Sequence, residues 1–264
     1  MSTASVVRHA FRVGARDYST IFTWKTWLGA WFVRVLAQVA FFALVGRMLG
    51  SAERTQYLLV GNAVLLAGMV GMWAVNMVAW ERSTGTLPLL AASPTHPAVV
   101  LASRGSYLVA DATLSAAGAL TVAGLLFGVP LPWARLPLAL PVLVLVAGSA
   151  FCFATFAGGL LLGFRSAQPI VTNVAVVTLM ALCGVDVPVD VYPAPVRWVS
   201  SVLPVTHGLR AIRLILGPAP AWEPILVQAA WEALVGAGWL AVCLLSFHAI
   251  VRRGRRRGTL DHSS

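Results

Sequence analysis

Charge is what this chain has least of. Only 11% of its 264 residues are Asp, Glu, Lys or Arg, against roughly a quarter in soluble domains, while 59% are hydrophobic and mean hydropathy is +0.83. A water-soluble globular domain is excluded. Lysine is almost missing, since Lys25 is the only one, and no Gly-x-x-x-x-Gly-Lys-Ser/Thr run occurs. The chain therefore builds no phosphate-cradling loop of that kind, and ATP hydrolysis falls to another subunit. Cysteine is scarce as well: Cys152, Cys183 and Cys243 fall within apolar runs without metal or redox spacing and read as small core residues. His96, His207 and His248 have no carboxylate or cysteine partner at ligand spacing, so no metal site is expected. Asp111, Asp186 and Asp190 do not cluster as a diphosphate-handling intramembrane enzyme requires, and no Gly-x-Ser site appears. An internal repeat is absent too, which argues against an inverted-repeat secondary transporter.

What is present is apolar length. Runs at about 27–46, 58–80, 98–127, 138–163, 168–187 and 224–250 are each near or above the roughly 20 residues a helix needs to cross hydrocarbon. The expected fold is an all-α integral membrane protein with six transmembrane helices, one domain over 1–264. Eighteen arginines and Lys25 against nine acidic residues give a net charge of +10. "VRRGRRRG" at 251–258 opens a basic tail, 251–264, and Arg8, Arg12, Arg16 and Lys25 precede the first run. By the positive-inside rule both termini are cytoplasmic, in a cell inner membrane, which agrees with an even number of spans. Arg47, Arg54, Arg135 and Arg197 fall in outward loops, so the bias rests on the termini. Basic segments beside a bilayer meet anionic lipid, and no nucleic acid is expected. No cleaved signal peptide is expected either.

Residues 5–18 read as an amphipathic surface helix. Val7, Phe11, Gly14 and Tyr18 form one stripe, and Arg8, Arg12 and Arg16 form another. Trp24 and Trp27 mark the inner interface. Residues 47–57 form a short outer loop, and the proline-rich 128–137 a compact one. Residues 188–217 are too polar and proline-broken to span, yet Leu209, Ile212 and Leu216 share a face and Arg210 and Arg213 another. Two short re-entrant helices dipping into the outer leaflet are expected between spans five and six.

Within or near the spans lie Arg34, Gln38, Asn76, Asp111, Asn173, Gln228 and Glu232. Charges at membrane depth are expensive and turn towards a partner or a cavity. The residues leave two readings open: structural pairs, such as Arg34 with Glu232 or Asp111, or contact with cargo along a path. Asn76, Thr172 and Asn173 read as interhelical hydrogen bonds or pore-lining groups.

One inward stretch stands apart, "WERSTGTLPLLAASPTHP" at 80–97. From the residues alone it reads equally as a connector on the inner leaflet or as a short helix docked on a partner. Its pattern, Glu81, Arg82, Gly85, Thr86, Leu87, Leu90, Ser93 and Pro94, resembles the cytoplasmic signature of type-2 ATP-binding-cassette (ABC) export permeases, in particular the daunorubicin-exporter-like drug-resistance branch. "LPVTHGLRAIRLILG" at 203–217 is similar to a second segment of that family. The resemblance implies that 81–96 is a coupling helix seated in an ABC ATPase. It makes 5–18, with Arg8, Phe11, Arg12 and Arg16, the connecting helix. Two ATPase copies and a second permease, identical or homologous, are implied as partners, with ATP and Mg on the ATPase and no cofactor in this chain. The family often has an acidic residue where Pro88 stands here. The implied function is export of a hydrophobic, drug-like or lipid-like compound. A polysaccharide permease of the same family ranks lower, and an intramembrane enzyme or a non-transporting anchor is the reading from another class.

Overall fold

Helix ends, rather than helix lengths, decide the architecture. The computed structural model describes residues 3–21, 23–75, 97–160 and 168–257, and every regular element among them is helical. α1 covers Thr3–Ile21, and α2 (Val33–Met48) is entered through the turn Trp24–Thr26 and a π-helical turn Trp27–Phe32. α3 (Ala52–Gly71), α4 (Pro97–Gly105), α5 (Tyr107–Leu126) and α6 (Leu136–Leu160) follow. The rest is α7 (Gln168–Leu182), α8 (Ala194–Val202), α9 (Thr206–Ile215) and α10 (Trp222–Arg257).

Among the described residues four segments are long and apolar enough to cross a membrane: Trp24–Met48, Ala102–Leu126, Trp133–Gly159 and Trp222–Ser246. Of the two other expected spans, α3 is diluted by Glu53, Arg54, Gln56 and Asn62, and α7 has only fifteen residues. α3 is nonetheless the hub, with fourteen of its twenty residues buried between α2, α5 and α6. α10 packs along α6 and against α9, while α1 lies on α4.

Several expected boundaries move. The 47–57 loop shrinks to a tight turn, because Ser51 accepts a hydrogen bond from the Arg54 amide at 3.3 Å and Glu53 sits in the first turn, which starts α3 at Ala52. The 98–127 run divides at Gly105 and Ser106 into α4 and α5. α1 extends beyond 5–18 at both ends, and residues 251–257 of the basic tail continue α10, as arginine's good helix propensity allows.

α2, α5 and α7 finish beside glycines of positive φ, Gly50 (69°), Gly128 (59°) and Gly184 (82°), the left-handed conformation that closes a helix C-terminus. These turns meet at one end of the bundle. Arg47 Nη2 donates to the Phe127 carbonyl (3.2 Å), Gln56 Nε2 to Leu216 (3.3 Å) and Arg135 Nη1 to Gly217 (2.8 Å). Two of the arginines that blur the charge bias are thus bonded to carbonyls the turns leave open.

The opposite end belongs to α1. Its packed face is Ala10, Gly14 and Tyr18, whereas Val7 and Phe11, expected on the same stripe, are exposed, as are Arg8, Arg12 and Arg16. At Gly14 a side chain has no room, since a Cβ would run into the Arg104 carbonyl. Gly14→Val should therefore lift α1 from α4. The expected loss is about 1–3 kcal/mol of local stability, read as faster amide exchange across 3–21 in a chain whose other helices keep their protection.

Candidate functional site

Tyr107 begins the first turn of α5, which places Asp111 one turn further up the helix, 8% exposed and close to α1. Trp27 Nε1 donates to Asp111 Oδ1 at 2.7 Å, and Trp31 Nε1 to Ser115 Oγ at 3.4 Å. Both pairs are separated by 84 residues, so the i, i+4 spacing of the tryptophans matches that of their partners on a parallel helix. The Tyr18 phenol lies against the same carboxylate, and burial, then the Asp111 charge, pushes its pKa up, which keeps it protonated. Arg104 and Asp17 close the seat with an ion pair at 2.7 Å. α1, α4, α5 and the foot of α2 are thereby tied together. α4 is the first described element after the 81–96 motif; Glu81, Arg82, Gly85, Thr86, Leu87, Leu90, Ser93 and Pro94 lie outside the described residues, as does Asn76.

A second polar knot sits where α6, α9 and α10 meet. Glu232 is fully buried. Its Oε1 accepts from the Ser149 hydroxyl and from the Val205 amide (3.1 Å), and its Oε2 accepts from the Gly208 amide (2.9 Å). The carboxylate thus takes up amides at the start of α9, where the helix dipole is positive. Val205 there has φ 85°. For a β-branched residue this backbone costs on the order of 1–3 kcal/mol and persists only when neighbours enforce it. The three carbonyls at the end of α8 are taken as well: Thr206 Oγ1 donates to Ser200 (2.6 Å), His207 Nε2 to Ser201 (3.1 Å) and Trp239 Nε1 to Val202 (2.9 Å). The other His207 nitrogen meets the Gln228 side chain at 2.8 Å.

The expected pairing of Arg34 with Glu232 or Asp111 does not form. Both carboxylates are held by neutral donors, and exposed Arg34 lies over the Trp31 ring, 6.0 Å from its centroid. Gln38 reaches Met69 Sδ at 3.5 Å. Asn173 is exposed, on a face of α7 with Ile170, Val174 and Val177 that meets no described element, and the Thr172 hydroxyl is buried and unbonded; among the described residues neither makes the expected interhelical bond.

Arg213, half of a charged face by its spacing, is the clamp of the turn end. Nη1 donates to Gly184 O (2.7 Å), and Nη2 to Tyr57 O (3.2 Å) and Val185 O (3.0 Å), with the guanidinium 3.5 Å over the Tyr57 ring. Burial lowers its pKa to about 10, still cationic at neutral pH. Asp186, on the same loop, accepts from Asn62 Nδ2 at 2.9 Å; burial pushes its carboxyl up, and Asn62 and Arg213 pull it back. Arg210 pairs with Asp190 at 3.5 Å.

Two hollows flank these knots. One, of about 630 Å³, is an apolar groove lined by Trp198, Val202, His207, Trp231, Leu234 and Trp239. The other, of about 460 Å³, is polar, with Tyr57, Asp190, Arg210, Arg213 and Gln228. The sequence marks Glu232 and Gln228 as polar candidates and Trp27 as an interface residue, but not Ser149, the Trp27–Asp111 bond or the structural use of His207. The signal for Trp27 was its i, i+4 spacing to Trp31; for Ser149 there was none.

No curated protein gave a significant match to the chain. A family model does match, that of the ABC-2 type transporter, over residues 17–216, from the end of α1 to the end of α9. With a multi-helix membrane bundle and a match over most of its length, the chain belongs to the ABC-2 type transporter family, whose membrane domain is the permease component that works with an ABC ATPase.

Proposed function

We propose that this permease exports a hydrophobic small molecule, drug-like or lipid-like, driven by ATP hydrolysis on two partner ATPase subunits that hold the ATP and Mg. Residues 81–96 are the coupling helix in this reading, and α1 is the connecting helix beside it. The observation that carries the proposal is the lock around α4. The helix that follows the motif is fixed to α1 by the Gly14 contact and the Asp17–Arg104 pair, and α5 is fixed to α2 through Asp111 and Trp27. A closing motor moves a bundle only through elements coupled to one another, and these contacts couple α1, α4 and α5. Glu81 suits the positive start of a docked helix.

In the same reading α3 and α7 complete six spans, the termini are cytoplasmic, and α8 and α9 lie towards the outer leaflet. A second permease covers the exposed face of α7. The apolar, tryptophan-lined groove beside α10 supports a hydrophobic rather than a sugar cargo, and the Glu81-Arg82-x-x-Gly85-Thr86-Leu87 form supports the drug-resistance branch.

Glu81→Arg, or deletion of 85–90, should leave insertion intact while cutting permease-dependent transport at least about tenfold; transport at the parental rate would refute the docking role. Topology is checked separately. A cysteine replacing Tyr192 should react with an impermeant maleimide on intact cells, and one replacing Arg255 only after permeabilisation. The reverse pattern would invert the orientation.

A further inference from the structure

α10 packs against both α4 and α9. α4 is the helix that follows the 81–96 motif, and α10 carries Glu232 in its first half. We infer that Glu232 is a positioning residue of the transport cycle: its carboxylate latches the start of α9 to α10 and α6, so that a displacement of α10 is passed to the α8–α9 pair and changes the width of the tryptophan groove. The inference rests on the permease reading above.

The chemistry of the site selects a carboxylate. Both oxygens face donors that cannot reverse, the Val205 amide at Oε1 and the Gly208 amide at Oε2, and Ser149 adds its hydroxyl. A glutamine of the same shape turns its NH2 towards one of those amides in either orientation, which leaves two donors face to face. An aspartate is shorter but still accepts only. The latch also enforces the left-handed backbone at Val205, whose amide it binds and whose carbonyl accepts from Leu209 N at 2.8 Å. Releasing the carboxylate frees Val205 to relax, and α9 then no longer follows α10. The groove senses this directly, because His207 of α9, Ser201 and Trp198 of α8, and Trp231 and Trp239 of α10 all line it.

The test uses the permease reconstituted with its ATPase in lipid nanodiscs, with Ser201→Cys in a chain otherwise freed of cysteine. Maleimide labelling is measured without nucleotide and with a non-hydrolysable ATP analogue, alongside ATP hydrolysis. In the parent the labelling rate should change about tenfold between the two states. Glu232→Gln should keep ATP hydrolysis within about twofold and lose that change, and Glu232→Asp should restore most of it. Parental nucleotide-dependence in Glu232→Gln overturns the latch. Loss of ATP hydrolysis together with labelling in both variants also overturns it, since Glu232 then serves folding alone. A parent that hydrolyses ATP without any labelling change overturns the latch and leaves the permease reading standing, whereas a parent that binds no ATPase sinks the permease reading and the latch with it.

Discussion

Hydrocarbon offers no partner to a backbone group, so each N–H or carbonyl freed where a helix breaks must be satisfied by the protein itself, at a cost of several kcal/mol if it is not. The polar side chains of this chain are distributed by that constraint. Arg213, Arg47 and Arg135 go to carbonyls at the ends of helices and turns, and Glu232 goes to amides at the start of one. Cations at the carbonyl end and an anion at the amide end follow the sign of the helix dipole. The expected partner Arg34 is replaced at Glu232 by two backbone amides and the Ser149 hydroxyl, and at Asp111 by the Trp27 indole and the Tyr18 phenol.

Apolar packing alone cannot orient helices surrounded by lipid, since lipid tails are as apolar as leucine. Orientation of α8 and α9 is set instead by bonds that have direction: the three α8 carbonyls taken by Thr206, His207 and Trp239, and the two α9 amides taken by Glu232. At the other end Asp111 plays the matching part, drawing Trp27 and Tyr18 onto α5. The bundle thus has two polar knots, one holding α1 and α4 to α5 and the foot of α2, the other holding α8 and α9 to α6 and α10.

Apolar length was legible in the sequence, because a span needs a run of about 20 residues whatever its neighbours. The amphipathic face of α9 was legible too: Leu209, Ile212 and Leu216 are all buried, as their spacing requires. Partners were not. Spacing shows that Gln228 and Glu232 share a face, but it does not show depth or what stands opposite, and two of the three donors to Glu232 are backbone amides that no residue type announces. The start of α3 was misplaced because the apolar run begins at 58, whereas the Ser51 cap and Glu53 give the true start. A charge such as Asp111 at membrane depth calls for a partner, and indole and phenol donors meet it where the sequence suggests an arginine.

The placement of polar contacts on α10 also decides how that helix can move. Its long apolar flank, with Leu226, Val227, Leu234, Leu240 and Leu245 exposed, meets no described element. Sliding such a surface against lipid or another apolar face breaks no hydrogen bond. Its side-chain bonds to other elements cluster at Gln228, Glu232 and Trp239, all directed at α6, α8 and α9. A rod held this way shifts along its apolar side at low cost and carries its polar load with it. The short helices follow α10 because separating them would strand Glu232 and two amides without water, and that asymmetry makes one flank a bearing and the other a linkage.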